Sequence, residues 1–254
     1  MPDTQGQSRE LSNQIAIATT TFYNPNSESD SFRIGLAKKS IRTACNLGYK
    51  VVVVDGGSPS TLLKEFESYG AKVYPELARG MGKGRRQAIK EATSLGRQIV
   101  AWTEPEKADY ISKITDTAIP ILQGTADLVV PKRKSMESYP KAQQYAEPFG
   151  NAFWKELTGI ELDVWFGPRT WSRELSDYFI AYNGEYGDKW DSIFIPVMNA
   201  IADGKRVAGI EVEYTHPQEQ TNVEEHDLTF YKKRVDQLGN IMGALELHWQ
   251  KIHL

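Results

Sequence analysis

A buried strand in this sequence ends abruptly in residues that could bind a ligand, because the four valines of 51–54 run into Asp55, Gly56 and Gly57. Consecutive β-branched residues without a polar residue are typical of a strand buried on both faces, in the middle of a parallel sheet. The glycines then allow a turn that a Cβ would forbid. Open α/β sheets bind ligands at the carboxyl ends of their strands, so Asp55 is a candidate ligand-binding residue. The alternative is that Asp55 only holds the turn or caps the next helix.

A second cluster, in residues 78–91, combines glycines with cations. Lys83 is followed by Gly84, whereas the phosphate-binding loop of nucleoside triphosphatases needs Ser or Thr there to hold magnesium. A dinucleotide-binding fingerprint should follow the first strand, but residues 19–26 contain no glycine. What remains is a glycine turn at a helix N-terminus, where amides and dipole suit a diphosphate, or else a solvated basic helix face. The cations of this segment include Arg79, Lys83, Arg85 and Arg86.

Two carboxylates form a third cluster. Glu104, Pro105 and Glu106 follow the apolar segment 97–102, which is read as another buried strand. Two carboxylates at a strand end, beside a predicted phosphate site, are suitable oxygen ligands for magnesium or manganese. The alternative is that Glu106 only begins the next helix as a favourable N-terminal charge, with Pro105 in its first turn.

Composition excludes several classes of function. The chain has 254 residues and a formal net charge of -3, so no global positive field attracts nucleic acid. The single Cys45 cannot form an internal disulfide, and no Cys/His cluster has zinc spacing. No stretch approaches the ~20 apolar residues of a membrane span, and residues 1–12 lack the apolar segment of a secretory signal. We therefore expect a cytoplasmic protein in which residues 1–12 are a disordered tail.

The order of the elements predicts an α/β fold. Strands and helices alternate over the first hundred residues, including a helix at 32–47, which argues for a parallel sheet with right-handed crossovers. Ser58 is expected to cap the following helix, which begins near Pro59. Later, residues 161–174 are read as strand, loop and helix start, and residues 206–217 as a half-buried strand. We predict a single domain over 1–254, whose last part (221–254) is a C-terminal helix.

The three clusters also form an ordered set. A first strand ending in a polar turn, residues 51–58 and residues 80–89 together resemble the nucleotide-sugar glycosyltransferases of GT-A fold, particularly the family 2-like and mannosylglycerate-synthase-like groups. The resemblance covers about residues 14–220 and implies a mostly parallel central sheet flanked by helices. It also implies a nucleotide-binding half (14–130) and an acceptor-binding half (131–220). It also implies that Asp55 binds the nucleotide base and that the glycine-lysine loop lies near the diphosphate. The nucleotide-binding residues so implied are Thr19, Thr20, Asp55, Arg79, Gly82 and Lys83.

The same resemblance assigns a metal site and an acceptor site. The family has Asp-x-Asp where this chain has Glu104-Pro105-Glu106, so Glu104 and Glu106 would bind Mn²⁺ or Mg²⁺, with His216 as the last ligand. Residues 162–174 resemble the loop before an acceptor-site helix, with Gly167 and Arg169 nearest the reacting sugar. Residues 185–204 resemble the helix whose first turn presents an acid to the acceptor. Asp191 fits that role best and Asp188 second.

The implied activity is transfer of a sugar from a nucleoside diphosphate sugar to a small soluble hydroxyl acceptor, dependent on a divalent metal and retaining in stereochemistry. Two alternatives stay open. One is a sugar nucleotidyltransferase, which has the same kind of sheet. Its glycine-rich basic loop usually follows the first strand, but no such loop follows the first strand of this chain. The other alternative is a non-catalytic nucleotide-sugar-binding relative, which is compatible with the missing Asp-x-Asp motif.

An apolar stripe marks the C-terminal segment. Its residues are spaced three and four apart without a break, as in a coiled-coil seam. The stripe either packs along its own domain or forms a homodimer contact, with Gly239 and Gly243 allowing close approach. Its members are Leu228, Tyr231, Val235, Leu238, Met242, Leu245, Trp249 and Ile252.

Overall fold

The computed structural model describes residues 9–24, 26–225 and 227–254, and a seven-stranded sheet runs through this part of the chain. The strand order is β3-β2-β1-β4-β6-β5-β7. Neighbouring strands are parallel except β6, which is antiparallel to both β4 and β5. The predicted mostly parallel α/β sheet is therefore confirmed. The strands are β1 (Ile15–Thr21), β2 (Lys50–Asp55), β3 (Lys72–Pro75), β4 (Ile99–Trp102), β5 (Leu128–Arg133), β6 (Arg169–Ser172) and β7 (Val207–Val212).

Helices cover both faces of this sheet. The first ends at Gly48 in the left-handed conformation, as the sequence predicted, but it begins earlier than residue 32. Residues 9–12, within the predicted disordered tail, are helical, and residues 1–8 lie outside the described part of the chain. The helices are α1 (Glu28–Leu47), α2 (Ser60–Ser68), α3 (Met81–Ser94), α4 (Ile114–Leu122), α5 (Lys141–Thr158), α6 (Ser176–Ile180), α7 (Asp191–Ala202), α8 (Gln218–Glu224) and α9 (Leu228–Ile252), with 3₁₀ turns at Ala108–Lys113 and Arg173–Leu175.

The central strands are buried on both faces. In β2, Val52 and Val54 belong to one apolar cluster, which also contains residues of α3 and α7. Val51 and Val53 belong to a second cluster, on the side of α1 and α2. This alternation explains why the strand has no polar residue before Asp55, since neither face meets water.

The segment 161–174 departs from its predicted order. Its strand is β6, after the Gly167-Pro168 turn, and not the apolar run that precedes it. Asp163 explains the difference, because its carboxylate accepts the backbone N–H of Arg133 at 3.1 Å. The backbone N–H of Arg133 therefore donates to a side chain and not to the carbonyl of a neighbouring strand. The chain first pairs as a strand from Arg169, which lies beside Trp102 of β4.

The C-terminal helix α9 packs back on its own domain, against α5 and α7. Its buried apolar residues include Phe230, Ile241 and Leu245. Of the predicted stripe, Leu228 and Val235 are instead 83% and 68% exposed. A homodimer contact through this helix therefore stays a prediction. No helix in the described ranges is long and apolar enough to cross a membrane.

Candidate active site

A cleft of about 440 Å³ opens at the carboxyl ends of β1, β2 and β3. Its walls include Thr20 from β1, Val54 from β2, and Arg79 and Gly80 before α3. The parallel pairing of these strands brings their ends to one edge of the sheet, where Thr20 lies beside Val54 and Thr21 beside Asp55. Among the predicted nucleotide-binding residues, Thr20 and Arg79 thus line one cleft. Thr19 is buried outside this lining, and its hydroxyl has no hydrogen-bond partner in the described residues.

Asp55 is buried at the edge of this cleft and holds the turn that follows it. One carboxylate oxygen accepts the hydroxyl of Thr21 at 2.7 Å. The other accepts the backbone N–H groups of Gly57 and Ser58 at 2.8 and 2.7 Å. Ser58 does not cap α2 as predicted, because its hydroxyl accepts the N–H of Tyr23 at 3.0 Å. Base recognition by Asp55 stays a prediction, and its established role here is to fix the turn.

An aromatic ring that the sequence analysis did not single out lies in the same cleft. Phe22 is 64% exposed and lines the cleft. A Cβ on Gly56 would lie 3.4 Å from the ring, so the glycine keeps the face of Phe22 close to the turn. A large exposed ring within a cleft is suited to stacking on a planar ligand. The available signal was an aromatic residue directly after the three threonines of β1.

The N-terminus of α3 carries both signs of charge. Lys83 and Arg79 are exposed there. The carboxylate of Glu76 also lines the cleft and accepts the N–H of Gly80 at 3.2 Å. Glu76 was not predicted from the sequence, and its carboxylate is suited to accept hydroxyl groups of a ligand.

A distant loop covers the same helix end. The N–H of Gly82 donates to the carbonyl of Asp188 at 2.9 Å. A Cβ on Gly82 would lie 1.9 Å from a carboxylate oxygen of Asp188, so only glycine fits there without movement. Arg86 forms a two-pronged ion pair with the same carboxylate. Asp188 has a positive φ of 56° between Gly187 and α7. The structure thus brings together Gly82 and Asp188, which were predicted as parts of different subsites.

Asp191 is buried and also bonded within this loop. Its carboxylate accepts the hydroxyl of Tyr182 at 2.5 Å and the N–H of Lys189 at 2.6 Å. Burial and this hydrogen bond raise the pKa of Tyr182. Asp191 therefore organises the start of α7 in the conformation described, and its predicted role toward an acceptor stays a prediction.

Glu104 lies among buried cations. Its carboxylate contacts Gly167, where a Cβ would lie 2.2 Å from one oxygen, and the other oxygen is buried without a described hydrogen-bond partner. Arg85 and Arg169 are both buried, and Glu104 is the strongest favourable charge acting on each. Desolvation lowers the pKa of both guanidinium groups to about 10. Arg169 is fully buried and donates to the carbonyls of Val164 and Pro168, and its predicted place near the reacting sugar stays a prediction.

Glu106 is separated from Glu104 by its own contacts. One of its oxygens accepts the hydroxyl of Tyr23 at 2.8 Å and a guanidinium N–H of Arg33 at 2.7 Å. Burial, followed by the charge of Glu106, raises the pKa of Tyr23. Since Arg33 lines the cleft, this pair connects Glu106 to the wall of the cleft.

His216 lies at the far side of the site. Its imidazole stacks on Tyr139 with ring centres 4.4 Å apart, and Nε2 is 3.9 Å from a carboxylate oxygen of Glu224. Burial, with the charges of Lys107, Arg234 and Arg133, lowers the pKa of His216 to about 3. The ring is therefore neutral near pH 7, and both its nitrogens lack hydrogen-bond partners among the described residues.

The predicted metal ligands do not form a ready-made site. No three His, Cys, Asp or Glu side chains within the described ranges are placed to hold a metal ion. The unpartnered oxygen of Glu104 is nevertheless a free ligand, and Glu106 uses one oxygen in the contacts above. These carboxylates fit a metal only if a ligand, such as a diphosphate, supplies further oxygens.

Comparison with known proteins now bears on this geometry. No protein-family model and no curated protein matches the sequence. Solved structures of glucosyl-3-phosphoglycerate synthase from Mycobacterium tuberculosis do match its fold. One has 16% identity and a TM-score of 0.62, covering 98% of this chain and 84% of that one. Another, in complex with Mn²⁺, UDP-glucose and phosphoglyceric acid, has 14% identity and a TM-score of 0.57, covering 96% and 85%.

A third structure of the same synthase, with Mg²⁺ and UDP, has 14% identity and a TM-score of 0.57, covering 94% of this chain and 84% of that one. The similarity of fold runs through nearly the whole chain. The predicted GT-A-like fold is therefore confirmed.

Proposed function

We propose that this chain is a glycosyltransferase that moves a sugar from a nucleoside diphosphate sugar to a hydroxyl group of a small acceptor. The observation that carries the proposal is the cleft at the carboxyl ends of β1–β3, which continues to Glu106 through Arg33. In a parallel α/β sheet this edge is the place where ligands bind. The solved structures with the same fold include complexes with UDP or UDP-glucose.

The donor nucleotide would lie in this cleft. Phe22 would stack on the base, and the turn held by Asp55 would present hydrogen-bonding groups to its edge. Glu76 would accept ribose hydroxyl groups. Arg79 and Lys83, both exposed at the start of α3, would face the diphosphate. The charge that builds on the departing diphosphate is the main barrier, and fixed positive groups lower it electrostatically.

A divalent ion would share that task. Complexes of the structural relative contain Mn²⁺ or Mg²⁺ with UDP. Such an ion would supply Lewis-acid neutralisation of the diphosphate charge. In this chain Glu104 and Glu106 would hold it, with His216 as a further candidate. Because these side chains alone do not form a site, we expect the ion to enter with the nucleotide and to bind poorly without it.

The acceptor would bind between the second half of the sheet and the start of α9. Lys233 and Arg234 are neighbouring charges there, and desolvation, then the charge of Arg234, lowers the pKa of Lys233. Cations held close together favour an anion, so we propose a small hydroxy acid as acceptor. Several complexes of the relative contain phosphoglyceric acid. Asp191 and Asp188 would reach an acceptor only if the loop from Gly184 to Lys189 releases its contacts with α3.

An assay against a panel of nucleotide sugars with manganese tests the proposal. Slow release of free nucleoside diphosphate, accelerated by phosphoglyceric acid or another hydroxy acid, is the expected result. Formation of nucleoside triphosphate from pyrophosphate would indicate a sugar nucleotidyltransferase, and binding without turnover a non-catalytic relative. Asp55→Asn is a useful variant, because an amide can retain the turn contacts while changing the groups offered to a base. We expect its nucleotide affinity to fall by ~1–3 kcal/mol.

We further propose that the protein works in the cytoplasm and that its C-terminal helix can pair with a second copy. A cavity of about 550 Å³ separates the loop at Tyr186–Asp191 from α9, and it is lined by Gly239, Gly243 and Leu247. Apart from the adjacent residues and the backbone of α9 itself, no described heavy atom lies within 4 Å of a Cβ built on either glycine. This open surface beside exposed Val235 supports the dimer proposal.

A further inference from the structure

Lys107 follows directly after Glu104, Pro105 and Glu106 in the sequence. Lys107 closes a turn with Glu104, whose carbonyl accepts the Lys107 N–H at 3.2 Å. Its ammonium nitrogen lies 4.8 Å from the ring centre of Phe166 and 5.5 Å from that of Tyr214. Aromatic faces attract a cation, but they accept none of its hydrogen bonds in the way an oxygen does. Within the described ranges the ammonium has no hydrogen bond and no ion pair.

The charges of the predicted metal ligands act together with this ammonium. Glu104 is the strongest charge acting on it, followed by Arg133, Glu147 and Glu106, and Lys107 is itself the strongest charge acting on His216. The rings connect the same groups, because Tyr214 lies 6.1 Å from Tyr139, on which His216 stacks. A side-chain cation thus lies in the region where the family pattern predicts a metal cation.

The surroundings favour an anion as the missing partner of Lys107. Glu104 is already opposed by Arg85 and Arg169, and Glu106 by Arg33. Glu147 and Asp163 are likewise occupied, because both pair with Arg133, whose guanidinium lies 5.1 Å from the centre of the Phe166 ring. An oxyanion would supply the acceptors that the rings do not, through hydrogen bonds strengthened by charge.

We propose that the Lys107 ammonium binds the diphosphate of the donor, so that nucleoside diphosphates bind this chain even without a divalent ion. The inference rests on the proposed function and adds to it a binding residue that the family pattern does not contain. A divalent ion, where present, then adds to a charge that the chain already supplies.

Titration calorimetry with UDP and GDP, each in excess chelator and in excess Mn²⁺, tests the proposal. We expect the unaltered protein to bind one of them in chelator, and Lys107→Met to bind it about tenfold more weakly, which corresponds to about 1.4 kcal/mol. The loss should be smaller with Mn²⁺. Lys107→Arg should retain most of the affinity. Lys113→Met, at the end of the 3₁₀ turn that follows Lys107, is the matched control and should bind like the unaltered protein.

Thermal melting of each variant identifies any loss of fold, and Lys107→Gln provides a second neutral variant if the methionine variant melts early. Nucleotide binding that requires Mn²⁺ in the unaltered protein would overturn the inference. So would equal affinity in the lysine, methionine and glutamine forms, or an effect confined to the KM of the acceptor. Absence of nucleotide binding in every condition would instead overturn the proposed function itself.

Discussion

The two halves of this molecule differ in how far their predicted site residues can be reached. In the first half, Thr20, Arg79 and Lys83 are at least partly exposed at the ends of strands or at a helix start, whereas Thr19, Asp55 and Gly82 are buried. In the second half, Arg169 and Asp191 are buried and bonded to their own chain. A ligand can therefore reach part of the predicted set in the first half in the conformation described, but neither of these two residues in the second half.

The cores of the two halves differ in polarity. Around β1 and β2 the interior is built from Ala, Ile and Val. The second half instead buries an ion network, in which Arg133 donates to Asp163 at 2.7 Å and to Glu147 at 2.6 Å. Burial acts to raise the pKa of Asp163, but the charge and hydrogen bonds of Arg133 outweigh it and hold that pKa below its usual value. Apolar packing tolerates exchange, whereas a buried ion network depends on every member.

The largest expected effect tests that difference. Arg133→Met would leave Glu147 and Asp163 buried without their cation, so we expect the free energy of unfolding to fall by about 3–5 kcal/mol in urea titrations. Lys132→Met, one residue earlier, removes a surface ion pair to Glu161 and should leave the midpoint nearly unchanged. Comparable losses in the two variants would show that the buried network is not what stabilises the second half.

The second prediction concerns the loss of stability in acid, which depends on the buried His216 of the second half. The pKa of His216 is about 3, below its unfolded value of about 6.5, so its contribution to stability is complete above pH 6.5 and is lost as the pH falls toward 3. Between pH 6.5 and 4.5 we expect His216 to account for about 2–3 kcal/mol of lost stability. His216→Phe keeps a ring on Tyr139 and should flatten this part of the profile.

Comparing the unaltered protein with His216→Phe also separates the effect of His216 on stability from that of Glu224. Burial raises the pKa of Glu224, so its protonation changes the stability in the opposite direction. Urea titrations at several pH values provide the measurement. Parallel pH profiles for the histidine and phenylalanine forms would contradict the prediction.

The same contrast shows what the sequence could and could not predict. The donor edge followed from local patterns, because an apolar strand ending in glycines has few other interpretations in a parallel sheet. Contacts between distant segments could not be read in this way. Nothing near Gly82 indicates that Asp188 covers it, and nothing near Glu106 indicates that Arg33 holds it.

The C-terminal helix illustrates the limit on a smaller scale. The apolar stripe was chosen by residue type, yet Gln237 and His248 take buried positions on α9. His248 pairs with Asn199 at 2.6 Å, and Gln237 accepts a guanidinium N–H of Arg234 at 2.8 Å. A polar residue with a partner can occupy the interior face. Arg234 lies on α9 itself, but Asn199 lies on α7 and is not visible in the sequence of α9.

The third prediction concerns the contact that joins the halves. Gly82→Ala would place a methyl group in the space of the Asp188 carboxylate, so we expect the loop at 184–190 to move and stability to fall by about 1–3 kcal/mol. Gly35→Ala, where a Cβ meets no heavy atom within 4 Å, is the matched control and should be neutral or stabilising. Proteolysis at the loop reports its movement. Equal stability and equal protease resistance in both variants would show that the loop does not lie on α3.

The smallest expected effect concerns the open surface of α9 at Gly239 and Gly243, beside the cavity described above. Gly239→Ala and Gly243→Ala add a methyl group to open space in the middle of a helix, so each should raise the free energy of unfolding of a monomer by about 0.5–1 kcal/mol. In a dimer that needs close approach at these glycines, the same methyl groups would separate the helices and weaken association. Sedimentation at several concentrations, combined with urea titrations, distinguishes the cases. Stabilisation with unchanged sedimentation of a monomer would remove the dimer proposal, whereas a shift from dimer toward monomer in both variants would support it.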